Sequence, residues 1–259
     1  MKFTGPVLKT KLKATGVHLS MSVIVFAYLA YQIYYNWYPQ PYFEIDGGWQ
    51  GIRLVGAVDL VLGPLITFLI FDLRKSRRAI LFDLLTILVI QVAALAYGVY
   101  TTYTQRPIAI VMVDEFVIPA TMEHYGGKLE SVEQLKQFSD EKPPIIFAEL
   151  PTDRAGLDET IRIKLKEKVL ENAQLQLYRS QPELLEELEE RQPLFFDRLD
   201  FYGGRKAYEG WLQVQGKSAD EVLVAPFTGR YGNAWLVFDR KGKYLSYFRS
   251  SRSRPKENQ

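Results

Sequence analysis

The residues best placed to do chemistry sit in an unlikely medium. Asp59 and the pair Gly63-Pro64 lie inside "VDLVLGPLITFLIFD", Val58 to Asp72, a run otherwise apolar enough for hydrocarbon. A carboxylate at mid-membrane depth costs about 2.5–3.5 kcal/mol on insertion scales, so it must be neutral, paired or turned to a cavity. On a helical wheel Gly56, Asp59, Gly63 and Thr67 fall within roughly 80° of one another, opposite Leu54, Val58, Leu65 and Leu69. A stripe of small and polar residues makes a protein-facing seam in lipid, because backbones can approach and polar groups find partners there. Pro64 removes a backbone donor and meets the carbonyl of Leu60, which predicts a kink. In the next apolar run Asp83, Thr86, Ala94, Tyr97 and Thr101 share a side, with Gln91 and Gly98 at its margin. Asp83 lies near the end of that run, within reach of Arg77, Arg78 or headgroups. For Asp59 two uses are open. It hydrogen-bonds Gln91, Ser22 or Gln32 within the bundle, or its seam receives a proton, an ion or another protein's helix. Three spans are a thin frame for transport and no broken-helix repeat is visible, so the helix is the better of the latter.

Elsewhere the chemistry is sparse. The two histidines, His18 and His124, are expected on opposite sides of a membrane and so share no metal or triad. His124 beside Glu123 has the types for a base and its orienter, but reads as a polar loop residue. "YGG" at 125–127 and "YGGR" at 202–205 lack the spacing of phosphate-binding loops and read as turn glycines. Glu189-Glu190 sits on a charged helix where solvation is the ordinary state. With no cysteine, disulfides, thiolate metal sites and cysteine nucleophiles are excluded. A net charge of +2 with mixed signs excludes the basic field of a nucleic-acid binder. No catalytic residue, metal or cofactor is expected.

Three segments approach the roughly 20 apolar residues of a membrane span: residues 17–37, 52–71 and 80–100. The first follows four lysines but ends in "YQIYYNWYPQP", without a small-residue cleavage site, and reads as a retained anchor. The loop "YPQPYFEIDGG" has no Lys or Arg, whereas "DLRKSRR" has four, which places the N-terminus and the second loop in the cytoplasm. Tyr34, Tyr35, Trp37, Tyr38 and Trp49 fit an aromatic belt on the outer side. The fold expected is a three-helix transmembrane bundle (1–104), a periplasmic α+β domain with a mixed or antiparallel sheet (105–249), and a polar flexible tail (250–259). In that domain Ile108–Val113 and Pro143–Pro151 read as strands. Glu130–Phe138, Asp158–Tyr178 and the stretch from Pro182 read as helices. "GWLQVQG", "EVLVAPFTG", "NAWLVFD" and "KYLSYFR" read as closing strands.

The ordered pattern Tyr-Pro-x-Pro, Gly-Gly, Asp-x-x-Leu-Gly-Pro, Gln-x-x-Ala-Leu-x-Tyr-Gly and Gln-Arg-Pro resembles the type IV pilin accessory proteins, the TfpX/TfpZ family. It covers roughly residues 18–118 and includes the outer-loop residues Tyr38, Pro39, Pro41, Gly47 and Gly48. The resemblance implies a bacterial inner-membrane protein that assists type IV pilus assembly by acting on the major pilin, without an assigned enzymatic activity. The membrane site expected for that role is Gly56, Asp59, Gly63, Pro64, Thr67, Asp83, Gln91 and Gly98. Other pilus-assembly proteins and membrane lipids are further partners, and a homo-oligomer is a second use of the seam. Two rivals are a pilin-modifying enzyme of glycan-transferase type and a membrane-anchored periplasmic ligand sensor.

Overall fold

The computed structural model describes residues 5–72 and 74–250, so the tail from Ser251 lies outside the described residues. The chain divides into two units. The first comprises the residues up to Phe43 together with Gly47–Thr104, and the second Glu44–Asp46 together with the residues from Gln105 on.

Three helical segments, Val7–Trp37, Gly48–Ile70 and Arg77–Thr104, are long and apolar enough to cross a membrane. In the first, α1 (Gly5–Tyr31) takes in Lys9, Lys11 and Lys13 before a π-helical turn, Gln32–Trp37. After the short helix α2 (Tyr42–Ile45), the second segment is composite: α3 (Gly48–Gly56), a π-helical stretch (Ala57–Leu62) and α4 (Gly63–Ile70). The irregularity falls where Pro64 has no N–H to give, and the Gly63 N–H reaches back to the Val58 carbonyl. A widened turn thus answers the missing donor, and it carries Asp59. The third segment is α5 (Arg77–Thr104). Most side chains of the first and third segments face outward, as a lipid-bathed bundle requires.

In the loop between the first two segments Tyr38 is buried and donates its hydroxyl to the Thr102 carbonyl at 3.0 Å. The Pro39 carbonyl accepts the Tyr42 N–H, and Pro41 follows in a cis peptide. Gly47 has φ 120°, a conformation open to glycine. A Cβ on Gly48 would lie 2.8 Å from the Phe43 Cα, so the Gly-Gly step is a steric requirement.

The second unit is α+β around a seven-stranded mixed sheet of order β4-β3-β1-β2-β5-β6-β7. Its strands are β1 (Ala109–Val113), β2 (Phe116–Ala120), β3 (Ile145–Ala148), β4 (Tyr178–Arg179), β5 (Val222–Thr228), β6 (Asn233–Asp239) and β7 (Tyr244–Phe248). β1/β3 and β2/β5 run parallel and the other pairs antiparallel. β2 forms a hairpin with β1 that the sequence hid behind Pro119; its pairing with β5 is confined to Val117↔Phe227, which leaves the proline no ladder bond to supply there. A core of Val111, Tyr125, Leu135, Ile146, Val169 and Leu177 packs beside the sheet.

The helices correct three expectations. The stretch 130–138 forms a 3-10 helix, Val132–Gln137. α6 (Arg154–Lys166) ends well before Tyr178, because Lys168 takes a left-handed φ of 60° and turns Val169 into the core. Most of its exterior, including Leu157, Ile161 and Leu165, faces outward. α7 (Gln181–Glu190) carries Pro182 in its first turn, one residue after its start, with Glu189 and Glu190 exposed, and α8 (Gln192–Phe201) follows. "GWLQVQG" is no strand but the end of α9 (Arg205–Gln215): Tyr208 and Trp211, three apart, are buried while Val214 is exposed. Gly216, in the left-handed conformation, closes that helix, with the Lys217 N–H on the Leu212 carbonyl.

Glu44–Asp46 is bound into the second unit by its β5–β6 hairpin. The Tyr231 N–H donates to the Ile45 carbonyl at 2.8 Å. Asp46, with no exposure, accepts from the Arg230 N–H at 3.1 Å and from its guanidinium Nε at 3.2 Å. The guanidinium also reaches the carbonyls of Asp46 and Gln105, both at 2.6 Å. Desolvation raises the Asp46 pKa from 3.8 despite Arg230. Its protonated form is therefore favoured in the fold, so its contribution to stability is full below 3.8 and is lost as pH rises through the raised native value. His124, in the neighbourhood of both groups, moves the other way: partial desolvation and then Arg230 push it below 6.5, so its contribution is full above 6.5 and is lost as pH falls through the native value. Thermal unfolding of the full-length protein at stepped pH is expected to show the stability of wild type relative to Asp46→Asn falling from pH 3.8 upward and then levelling.

Candidate functional site

The polar stripe of the second segment faces its neighbours. Asp59 (2% exposed), Gly63, Pro64 and Thr67 are buried, and Gly56 is half-buried. Ser22 Oγ and Gln91 Nε2 both donate to Asp59 Oδ1, at 3.0 and 2.8 Å, so one residue from each of the three segments meets at one oxygen. Gln32, the other candidate, instead donates to the Tyr28 hydroxyl. A Cβ on Gly63 would lie 2.6 Å from the Gln91 Cδ, which explains the glycine: it makes room for the amide that reaches Asp59. One turn on, Thr67 Oγ1 donates to the Gly63 carbonyl at 3.1 Å and lies 2.5 Å from His18 Nδ1.

Not all of the expected seam joins this cluster. Gly98 packs against Leu54, and Gly56 against the Phe26 ring. Asp83 pairs with Lys75 at 2.5 Å, not with Arg77 or Arg78. The inward face of the third segment is also rotated from the expected one: Ile87, Gly98 and Thr102 are buried and Gln91 half-buried, whereas Tyr97 is exposed. Gln91 and Gly98 are thus at the centre of that face. Tyrosine supplied polarity to the wheel but lies on its outer side, where an amphipathic ring suits a membrane interface.

Lys11 went unrecognised in the sequence. It is 1% exposed and donates Nζ to the Phe68 and Leu69 carbonyls, at 2.9 and 3.0 Å, at the last turn of the second segment. Those carbonyls are the orphan acceptors of a helix C-terminus, and a cation there also meets the negative end of the helix dipole. The signal was available: Lys11, His18 and Ser22 stand at i, i+7 and i+11, one face of one helix.

Between the first and third segments a groove of about 720 Å³ remains open. Asp59 and Thr67 lie on its floor, with His18 and Lys13 towards the basic end and Met21, Val25, Leu88 and Val92 along its walls. Asp59 Oδ2 is buried and has no hydrogen-bond partner among the described residues. The arrangement has what a receptor for an elongated apolar group needs, with one polar atom unsatisfied in its floor. Among the described residues no group of three or more His, Asp or Glu is placed to hold a metal.

A family model described as fimbrial assembly protein FimB matches residues 6–47. Over 99 residues, 38% of this chain, the sequence is 37% identical to the fimbrial assembly protein of serogroups C1 and C2 of Dichelobacter nodosus and covers 76% of that protein. Over the same length it is 37% and 36% identical to the fimbrial assembly proteins of serogroups I and E1 of that organism, of which it spans 38%. No solved structure matches the chain. These matches agree with the pilus-accessory resemblance carried by the sequence motifs. With one relative covered over three quarters of its length at this identity, the chain belongs to the FimB family of fimbrial assembly proteins.

Proposed function

We propose that this protein is a non-enzymatic accessory of type IV pilus biogenesis that takes the apolar membrane helix of the major pilin into the groove beside Asp59. It thereby assists the subunit's stability, extraction or assembly. The family supports the pilus role, since fimbrial assembly is what its relatives are named for. The observation that carries the membrane half is the open groove between the first and third segments with a buried carboxylate in its floor. The basic N-terminus and second loop argue for a cytoplasmic end there, in a bacterial inner membrane. Three spans then deliver the second unit to the periplasm, where a pilin head would meet it.

Photocrosslinking in cells tests this. A photoreactive residue at Met21 or Val92, exposed on the groove walls, is expected to form an adduct with the major pilin, and one at Val89, outside the groove lining, is not. An adduct only with a second copy of this chain would make the groove a dimer interface and reject the pilin reading. In a deletion strain pilin is expected to keep its mass while surface pili are lost; a shifted mass would favour a modifying enzyme.

A further inference from the structure

Asp59 divides its two oxygens unequally. Oδ1 accepts from both Ser22 and Gln91, while Oδ2 is buried with no partner among the described residues, in a side chain that lines the groove. In hydrocarbon no water completes such a group. The groove wall runs from Thr10 to Val25 on the first segment and from Leu84 to Leu95 on the third. At 1.5 Å per residue those stretches measure roughly 22 and 17 Å, which accommodates several turns of a helix. An acyl chain would suit the apolar walls but bring nothing to Oδ2.

We propose that the groove selects its occupant at this atom: it takes one membrane-spanning helix that presents a neutral hydrogen-bonding side chain, Ser, Thr, Asn or Gln, at the depth of Asp59. The inference rests on the groove being the pilin-helix site and adds the chemistry by which it would choose. Such side chains both donate and accept, so they complete Oδ2 in either protonation form, donating to a carboxylate or accepting from the acid. A cation serves the ionised form alone, and an apolar residue serves neither. Gly63 has a positioning part, because it seats the Gln91 amide that occupies Oδ1 and leaves Oδ2 as the atom still to be paired.

The test uses the full-length protein in lipid nanodiscs. The probes are synthetic Leu/Ala helices of about 23 residues with a single central Asn, Leu or Lys, and binding is read by energy transfer. The Asn helix is expected to bind wild type roughly tenfold more tightly than the Leu helix. That preference is expected to persist in Asp59→Asn and to disappear in Asp59→Leu. Val92→Trp, on the exposed groove wall, leaves the polar cluster in place and is expected to weaken both helices alike. A preference for Lys that Asp59→Asn abolishes would overturn the proposal in favour of a cation site. Equal binding of all three helices, or an Asn preference that survives Asp59→Leu, would overturn it outright. A pilin adduct in cells with indifferent synthetic helices would remove this inference alone. A discriminating groove with no pilin adduct would remove the pilin reading alone.

Discussion

Arg230→Met is expected to destabilise the second unit by about 3 kcal/mol, the low end of what removing one partner of a buried ion pair costs. The fully buried Asp46 would lose its only charged hydrogen-bond partner among the described residues, while the surrounding backbone keeps it out of water. The low end applies because the Arg230 side chain is itself 34% exposed and so retains part of its hydration. For a unit of this size that amounts to a fall of roughly 6–12 °C in midpoint, read by protease sensitivity of the full-length protein in detergent on heating. Arg249→Met is the comparison. Its partner Glu44 lies 3.1 Å away, but both side chains are about half exposed, so the loss is expected to stay within about 1 kcal/mol. Equal losses in the two variants would refute the assignment of the stability to burial. The Arg230→Met penalty is also expected to shrink in acid, where Asp46 with its raised pKa takes up a proton and the charge needing a partner disappears.

The second large effect belongs to Gly63→Val. The new Cβ would lie 2.6 Å from Gln91 Cδ and 2.7 Å from Nε2, closer than such atoms approach. The Gln91 amide is the far end of a flexible side chain, so it yields and gives up its 2.8 Å bond to Asp59. Overpacking alone costs about 1–3 kcal/mol, and among the described residues Asp59 keeps only Ser22. Surface piliation is expected to fall roughly tenfold, the scale of one interhelical hydrogen bond in lipid, with pilin crosslinking at Val92 falling in step. Gly98→Ala discriminates: its Cβ would meet Leu54 Cγ at 3.5 Å, an ordinary contact, and piliation is expected to be unchanged. Gly56→Ala falls between, with the Phe26 ring at 3.1 Å. If the three variants behaved alike, glycine content and not the Gln91 contact would be what the segment requires.

Much of the fold was legible where the signal is local. Apolar runs marked the three long helices, and the spacing of Gly56, Asp59, Gly63 and Thr67 identified one face of the second. The same method misplaced the inward face of the third, because polarity on a wheel does not separate a tyrosine turned outward from a glutamine turned to a partner. In the second unit, Trp211, Leu212 and Val214 imitate a strand, and only the burial of Tyr208 and Trp211 on one helical face resolves it. The helix expected to run to Tyr178 had the right period, yet it ends at Lys166 because tertiary packing draws Val169 inward. The pairing of Asp46 with Arg230 was beyond sequence reasoning altogether: they are 184 residues apart, and no motif links them.

That separation bears on the order of assembly. The segment Glu44–Asp46 leaves the ribosome early, but its acceptor, the turn of the β5–β6 hairpin at Arg230, is synthesised 184 residues later. At 5–20 residues per second the delay is roughly 10–40 s. Throughout that interval Glu44–Asp46 lacks the strand pair that later encloses it, and a shortened chain ending before the hairpin would never acquire it. Synthesis of the β5–β6 hairpin is therefore the event that encloses Glu44–Asp46, and the second unit cannot close around that segment before it.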